Sequence, residues 1–325
     1  MVCRILLLIS FLLCLPGLTA AQLGGLTSLD GFGPQNQLVV SPTTPEPGQT
    51  ITVSLDDYAG GLFGAAITWR YGGEVLLNTQ NKRSVEIVAG ALGQTSQVEA
   101  SLTLPDGSTE IITADITPIY IDVIIEPQTR IPNWFLGRAM PSLGSQVNAT
   151  VVVSEDTVIN PANHVYTWRV NQNVIEGGPL RGRSSISFET PRGDDFILSV
   201  SVSRGDGTTI ATEAKRIPSV DPTLLFYEQH PLYGNQPFPI SNSFNLISNT
   251  LTLHAEPFYL DSRVYNNPDV AEWEINNTNT TNGTTNPYEI TLQRAAVFGN
   301  TNINFHVRSL QQVLQGTEDS VNISF

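Results

Sequence analysis

The residues that could do chemistry in this chain are few and scattered. Four histidines, His164, His230, His254 and His306, stand on separate segments, and no two have the spacing of metal ligands. Both cysteines, Cys3 and Cys14, fall in the first 21 residues, so no thiolate downstream can complete a zinc site. Carboxylates pair at Asp56-Asp57 and Asp194-Asp195, but a calcium ion takes about six to eight oxygens, and no Asp-x-Asp-x-Asp run supplies them. Both pairs read as turn residues. Gly-x-Ser-x-Gly elbows, phosphate loops and dinucleotide fingerprints are absent. This inventory predicts a non-enzymatic protein with no catalytic, metal or cofactor-binding residues.

Binding chemistry is better represented. Arg192-Gly193-Asp194 and Arg204-Gly205-Asp206 are receptor-type triplets, the second expected at a hairpin tip. Pro105-Asp106-Gly107 takes the equivalent place 100 residues earlier, so the shared feature is Asp-Gly turn chemistry rather than the triplet. Two aromatic loops also recur. Ile131-Pro132-Asn133-Trp134-Phe135-Leu136-Gly137 and His230-Pro231-Leu232-Tyr233-Gly234 place Trp134 and Tyr233 99 residues apart. Ala139-Met140-Pro141 follows the first and Phe238-Pro239 the second. Exposed aromatics concentrate recognition energy, which makes Trp134, Phe135, Tyr233 and Phe238 the candidate binding residues. Their periodic recurrence points the other way, to a structural role packing at each domain junction, and that is the favoured reading. The Asn276–Asn286 tract carries Asn-x-Thr sequons at Asn276, Asn279 and Asn282, with others at Asn148 and Asn322, and is expected to be a polar loop.

The elements that must position these loops are strands. Ile67-Thr68-Trp69-Arg70, Tyr166-Thr167-Trp168-Arg169 and Ala271-Glu272-Trp273-Glu274 each alternate around a Trp. Trp69 and Trp168 are 99 residues apart and Trp168 and Trp273 are 105 apart, the length of one small sandwich. An apolar strand starts 29 or 30 residues after each Trp, at Val98, Ile197 and Ile303. Ile51, Val53 and Leu55 alternate inward before the first Trp, as Val147, Ala149 and Val151 do before the second. Ile116 to Ile125, the most apolar later stretch, reads as one strand and is too short to span a bilayer. The three tryptophans are therefore expected in three cores.

Tyr166-Thr167-Trp168-Arg169-Val170-Asn171, the later run Phe196-Ile197-Leu198-Ser199-Val200-Ser201-Val202 and its Asp-Gly turn resemble PKD-like and other immunoglobulin-like repeats of exported bacterial proteins. Gly72-Gly73 and Asn171-Gln172-Asn173 replace that family's Gly-Asp-Gly turn, and the third unit keeps only its Trp. The resemblance implies extracellular display, adhesion or spacing without catalysis.

Residues 1–21 have the form of a secretory signal: Arg4, an apolar run from Ile5 to Leu15, Pro16-Gly17, and Thr19-Ala20-Ala21 as the cleavage site. The division expected is signal peptide 1–21, flexible leader 22–35, and immunoglobulin-like domains at 36–118, 119–219 and 220–325. Against 30 acidic residues stand only 16 basic ones, a formal net charge of −14. Nucleic acid and anionic membrane surfaces are poor partners for such a chain. The expected architecture is all-β, three tandem immunoglobulin-like β-sandwiches, in an exported surface or periplasmic protein that contacts a protein or glycan outside the cell. Two other readings stay open: a subunit of an extracellular assembly such as a pilus, and accessory binding domains of a carbohydrate-active system.

Overall fold

Alternation of buried and exposed side chains builds nearly every element of the chain. The computed structural model describes residues 36–57, 62–175, 177–281, 283, 285–294 and 298–325. The expected signal peptide and leader, and the sequon at Asn282, lie outside them.

The first sandwich contains β1 (Gln37–Ser41), β2 (Thr50–Asp56), β3 (Ala66–Tyr71), β4 (Glu74–Val75), β5 (Ser84–Val88), β6 (Ser96–Thr103) and β7 (Thr109–Ile116). Its sheets run β1-β2-β5 and β4-β3-β6-β7. The second contains β8 (Tyr120–Pro127), β9 (Gln146–Ser154), β10 (Val165–Val170), β11 (Asn173–Val174), β12 (Leu180–Arg181), β13 (Ser185–Glu189), β14 (Asp195–Ser203) and β15 (Thr209–Pro218). The order repeats as β8-β9-β13 and β11-β10-β14-β15, with β12 also pairing β10. The third contains β16 (Thr223–His230), β17 (Gly234–Asn235), β18 (Ser243–Asn245), β19 (Thr250–Phe258), β20 (Val270–Ile275), β21 (Thr278–Thr280), β22 (Glu289–Gln293), β23 (Asn300–Arg308) and β24 (Gly316–Ser324). It keeps the pattern as β17-β16-β19-β22 and β18-β24-β23-β20-β21. All the pairings are antiparallel except β18 on β24, which is parallel. A pair of sheets with this order, repeated three times around separate hydrophobic cores, is a tandem immunoglobulin-like or fibronectin-III-like array.

Each core is centred on its Trp. Trp69, Trp168 and Trp273 are almost fully buried, and each indole N–H finds a backbone carbonyl: Lys82 at 2.8 Å, Arg183 at 2.9 Å and Pro287 at 2.9 Å. That bond satisfies the ring's single donor inside an apolar layer. The strand then reverses through two consecutive left-handed residues, Gly72-Gly73, Asn171-Gln172 or Asn276-Asn277, as a two-residue hairpin turn demands. Asn can replace Gly there because its short side chain tolerates positive φ. The carboxamide oxygens of Asn171 and Asn276 also accept from the N–H groups of Ile197 and Asn302, both at 2.9 Å.

The stretch Ile116 to Ile125, expected to be one strand, is divided between two sandwiches. β7 ends at Ile116 and β8 begins at Tyr120. Pro118 explains the break, since it offers no N–H to a ladder. The chain uses the apolar run twice, closing one core with Ile116 and opening the next with Ile119 and Ile121.

Each sandwich has a head and a tail. The head carries the β2–β3, β9–β10 or β19–β20 loop together with the β6–β7, β14–β15 or β23–β24 hairpin. The tail carries the loop leaving the first strand. Tails meet heads along the chain.

Candidate functional site

Strand β19 departs from simple alternation. Leu251, Leu253 and Ala255 enter the third core, yet His254, Glu256 and Phe258 on the opposite face are buried as well. The tail loop of the second sandwich, residues 128–145, covers Glu256 and Phe258. Trp134 meets Tyr227 and Phe258 edge-on at 5.3 and 6.1 Å, and Phe135 meets Phe258 and Tyr259 at 5.3 and 6.4 Å. Beneath these rings, Arg130 makes a two-pronged ion pair with Glu256, 2.8 Å from Nε to Oε1 and 3.3 Å from Nη2 to Oε2. Its guanidinium also lies 4.4 Å from the centre of the Tyr265 ring.

His254 Nε2 stands 3.0 Å from Glu256 Oε2, and its Nδ1 is 3.5 Å from Glu289. Burial would push the Glu256 carboxyl up, but hydrogen bonds from His254 and Arg130 outweigh it and hold the group below the ordinary glutamate value. A neighbouring polar knot completes the junction. Asp261, fully buried, accepts from the Gln146 N–H at 2.8 Å and from Arg263 Nη2 at 2.8 Å. The Gln315 side chain accepts from the Asp261 N–H at 2.7 Å and donates to Ser142 Oγ at 3.0 Å and the Leu143 carbonyl at 2.6 Å. Backbone bonds add Arg130 N–H to the Leu260 carbonyl and Tyr259 N–H to the Arg130 carbonyl.

The first junction is thinner. Gly93, at φ +70°, lies against the head of the second sandwich, where a Cβ would come within 2.9 Å of the Asp156 nitrogen. Ile119 N–H donates to the Pro45 carbonyl at 2.9 Å, and Thr117 and Thr95 share a hydroxyl hydrogen bond. Thr43, Glu155 and Arg204 border an open polar cleft there. Charge burial like that of Arg130 and Glu256 is missing among the described residues.

The four binding candidates therefore separate. Trp134 and Phe135 are partly covered and join two sandwiches. Tyr233 and Phe238 are 79% and 80% exposed. Tyr233 follows β16 at the tail of the third sandwich, with Leu232 equally bare beside it, and its ring tilts over His230 at 4.8 Å. Phe238 lies on the strand edge beyond it, between Gln236 and Ile240, whose N–H groups bond to the Glu228 and Phe226 carbonyls. Of the triplets, Arg204 pairs with Glu155, and the Asp206 carboxylate accepts from the Thr208 N–H. That backbone bond holds Asp206 below its usual range, so both ends of the triplet are engaged in the turn and the junction. The sequon residue Asn279 is exposed on edge strand β21.

Sequence reading missed the buried group of Arg130, His254, Glu256 and Asp261, because alternation assigns His254 and Glu256 to solvent. The available signal was Glu256-Pro257-Phe258-Tyr259-Leu260, too apolar beyond the strand's inward set for a one-sided sheet. Among the described residues, no group of three His, Cys, Asp or Glu side chains could hold a metal ion.

The chain is thus a tandem immunoglobulin-like array whose conspicuous constructed feature is a junction. No family model matches it, and no curated protein is similar to it in sequence. Among solved structures it is similar to the first five immunoglobulin domains of Sidekick-1, at 10% identity and TM-score 0.30 over 90% of this chain and 59% of that one. The central fibronectin-III array of RIM-binding protein gives 10% identity and TM-score 0.27 over 90% and 97%. The fibronectin(III)-like modules of Clostridium thermocellum CbhA give 14% and 0.24 over 56% and 94%.

Proposed function

We propose that the chain is a non-enzymatic, exported structural or adhesion protein, with sandwiches at 36–118, 119–219 and 220–325, that displays its end for contact with a protein or glycan outside the cell. The observation that carries this reading is the contrast between two equivalent loops. Trp134 and Phe135 are spent on joining the second and third sandwiches, whereas Tyr233, Leu232 and Phe238 reach solvent from the third. Large exposed apolar side chains set close together mark an interaction surface. The junction supports the same role, since a buried bidentate ion pair under an aromatic cover gives a stiff mount for that surface.

Arrays of extracellular glycans and envelope proteins, probed with the secreted chain and with Tyr233→Ala/Phe238→Ala, test the proposal. The expected result is a retained ligand whose affinity drops tenfold or more in the variant, by the usual weight of exposed aromatic anchors. A ligand held equally by both proteins removes the loop from the site, and hydrolytic turnover of an arrayed glycan overturns the non-enzymatic reading. Cell fractionation checks export: cytoplasmic retention of the native product counts against it.

A further inference from the structure

Strand β13 is the outer edge of the β8-β9-β13 sheet. The Val151 N–H bonds to the Ser184 carbonyl and the Thr190 N–H to the Ser145 carbonyl, which fixes the phase of the ladder. Ile186 and Phe188 therefore turn their backbone groups to β9, while Ser185, Ser187 and Glu189 turn theirs outward. The strand has no lysine, proline or register break to guard that edge, and its single charge, Glu189, sits beside Arg263 at the far end. The inner face is open too. Val85 and Ile87 on the equivalent strand β5 are 4% and 5% exposed, but Ile186 and Phe188 are only half buried. Beside Ile186 a cavity of about 140 Å³ runs in between the sheets, bounded by Tyr166, Trp168, Ile175, Leu180 and Arg183. An apolar cavity of about 150 Å³ holds a benzene-sized group, so this one has room for a single large side chain. Charge marks the occupant. In a chain of net charge −14, Arg130, Arg204, Lys215 and Arg216 each pair with a carboxylate. Arg183, exposed at the rim of the cavity, and Arg181 just before it have no such partner among the described residues.

We propose that β13 is a docking edge for an extended, acidic peptide of another protein, which adds a strand to the sheet and places one aromatic or large aliphatic side chain in the cavity beside Trp168. Main-chain bonds to Ser185, Ser187 and Glu189 supply the affinity. The cavity selects the side chain opposite Ile186, which leaves the sheet on the same face. Carboxylates flanking that residue meet Arg183 and Arg181 at the rim. The site lies on the second sandwich, apart from the Tyr233 loop of the third, and neither depends on the other for its ligand.

Fluorescence anisotropy on the secreted chain tests this, with a labelled Glu-Val-Glu-Phe-Glu-Val-Glu peptide as the probe and the same peptide with Lys for Glu as its counterpart. Two protein variants accompany it. Ser187→Pro removes an outward N–H but no bond to β9, a replacement that edge strands tolerate. Arg183→Glu reverses an exposed charge and keeps the carbonyl that accepts from Trp168. Expected is saturable binding of the acidic peptide by the parent, weakened about tenfold or more in each variant and for the lysine counterpart. Tyr233→Ala/Phe238→Ala should bind the peptide like the parent. A parent that does not bind overturns the proposal, as does a lysine peptide held equally well or a folded variant that binds like the parent. N-acetylphenylalanine amide competing as strongly as the peptide also overturns it, by making the cavity a small-molecule site without strand addition. So does a parent dimer in sedimentation that Ser187→Pro abolishes, which makes a second copy the occupant, or a peptide bound only after residues 22–35 are deleted, which makes the leader the occupant. If near-ultraviolet circular dichroism shows Ser187→Pro unfolded, Arg183→Glu and the lysine peptide decide.

Discussion

At the scale of single residues, two kinds of buried group carry the fold: an aromatic ring with one satisfied donor and a carboxylate with fixed partners. Trp168 fills the second core beside Phe196 and Val200, and its N–H is bonded to the Arg183 carbonyl. Replacement by Ala removes the ring's packing and leaves that carbonyl without its donor, so Trp168→Ala should cost about 3 to 5 kcal/mol, read from denaturant midpoints. Phe at the same position should cost less, because most of the volume stays. Glu256 works differently. Its folded pKa lies below the unfolded value, so its ionised form contributes stability above the ordinary glutamate pKa, and that contribution is lost as pH falls through the folded value. Acid titration of stability should therefore show a loss below about pH 4 that Glu256→Gln lacks. Each change strands the other partner, but the Glu256 side chain is 2% exposed and that of Arg130 30%, so Arg130→Met, which leaves the buried carboxylate, should cost about 3 to 5 kcal/mol at neutral pH and Glu256→Gln less. Equal effects from the two changes would show that the part-exposed guanidinium is as costly to leave alone as the buried carboxylate.

At the scale of elements, the loops decide how the sandwiches are joined, and here sequence was legible only in part. The strands around Trp69, Trp168 and Trp273 could be read because each buries one face, which leaves a period of two in the residue order. The Asp-Gly hairpins could be read because turn chemistry is local: the Asp106 carboxylate accepts from the Ser108 hydroxyl at 2.6 Å and its N–H at 2.9 Å. Whether a loop packs or binds is a long-range fact. Trp134 and Tyr233 look alike over ten residues, and only Tyr227 and Phe258, more than 90 positions downstream of Trp134, distinguish them. The burial of His254 and Glu256 was hidden for the same reason, since a strand covered by another domain keeps the alternation of a half-exposed one. Gly93 is an element-scale test. Its positive φ and its approach to Asp156 leave no room for a Cβ, so Gly93→Ala should open the first junction and widen small-angle scattering profiles without changing the second. An unchanged profile would show that the first junction yields to a methyl group at no cost.

At the scale of the whole molecule, unequal junctions divide the chain into two mechanical parts. The second and third sandwiches share a buried ion pair, an aromatic cluster and the Asp261–Gln315–Ser142 chain of hydrogen bonds, so unfolding either one uncovers charged groups belonging to the other. The first sandwich is tied by Thr117-Pro118-Ile119, a few backbone bonds and the Gly93 contact, none of which exposes a buried charge when broken. Calorimetry should therefore resolve two transitions, a smaller one for the first sandwich and a larger cooperative one for the joined pair. Trp168→Ala should lower the larger transition as a unit, carrying the third sandwich with it, and leave the smaller in place. Arg130→Met isolates the coupling between the joined pair. If the ion pair couples the two sandwiches, its loss should split the large transition into two while the near-ultraviolet signals of Trp168 and Trp273 both persist below the first of them. Three transitions in the parent protein would mean that the junction is a contact without coupling, and a single one would mean that the first sandwich is held as firmly as the rest.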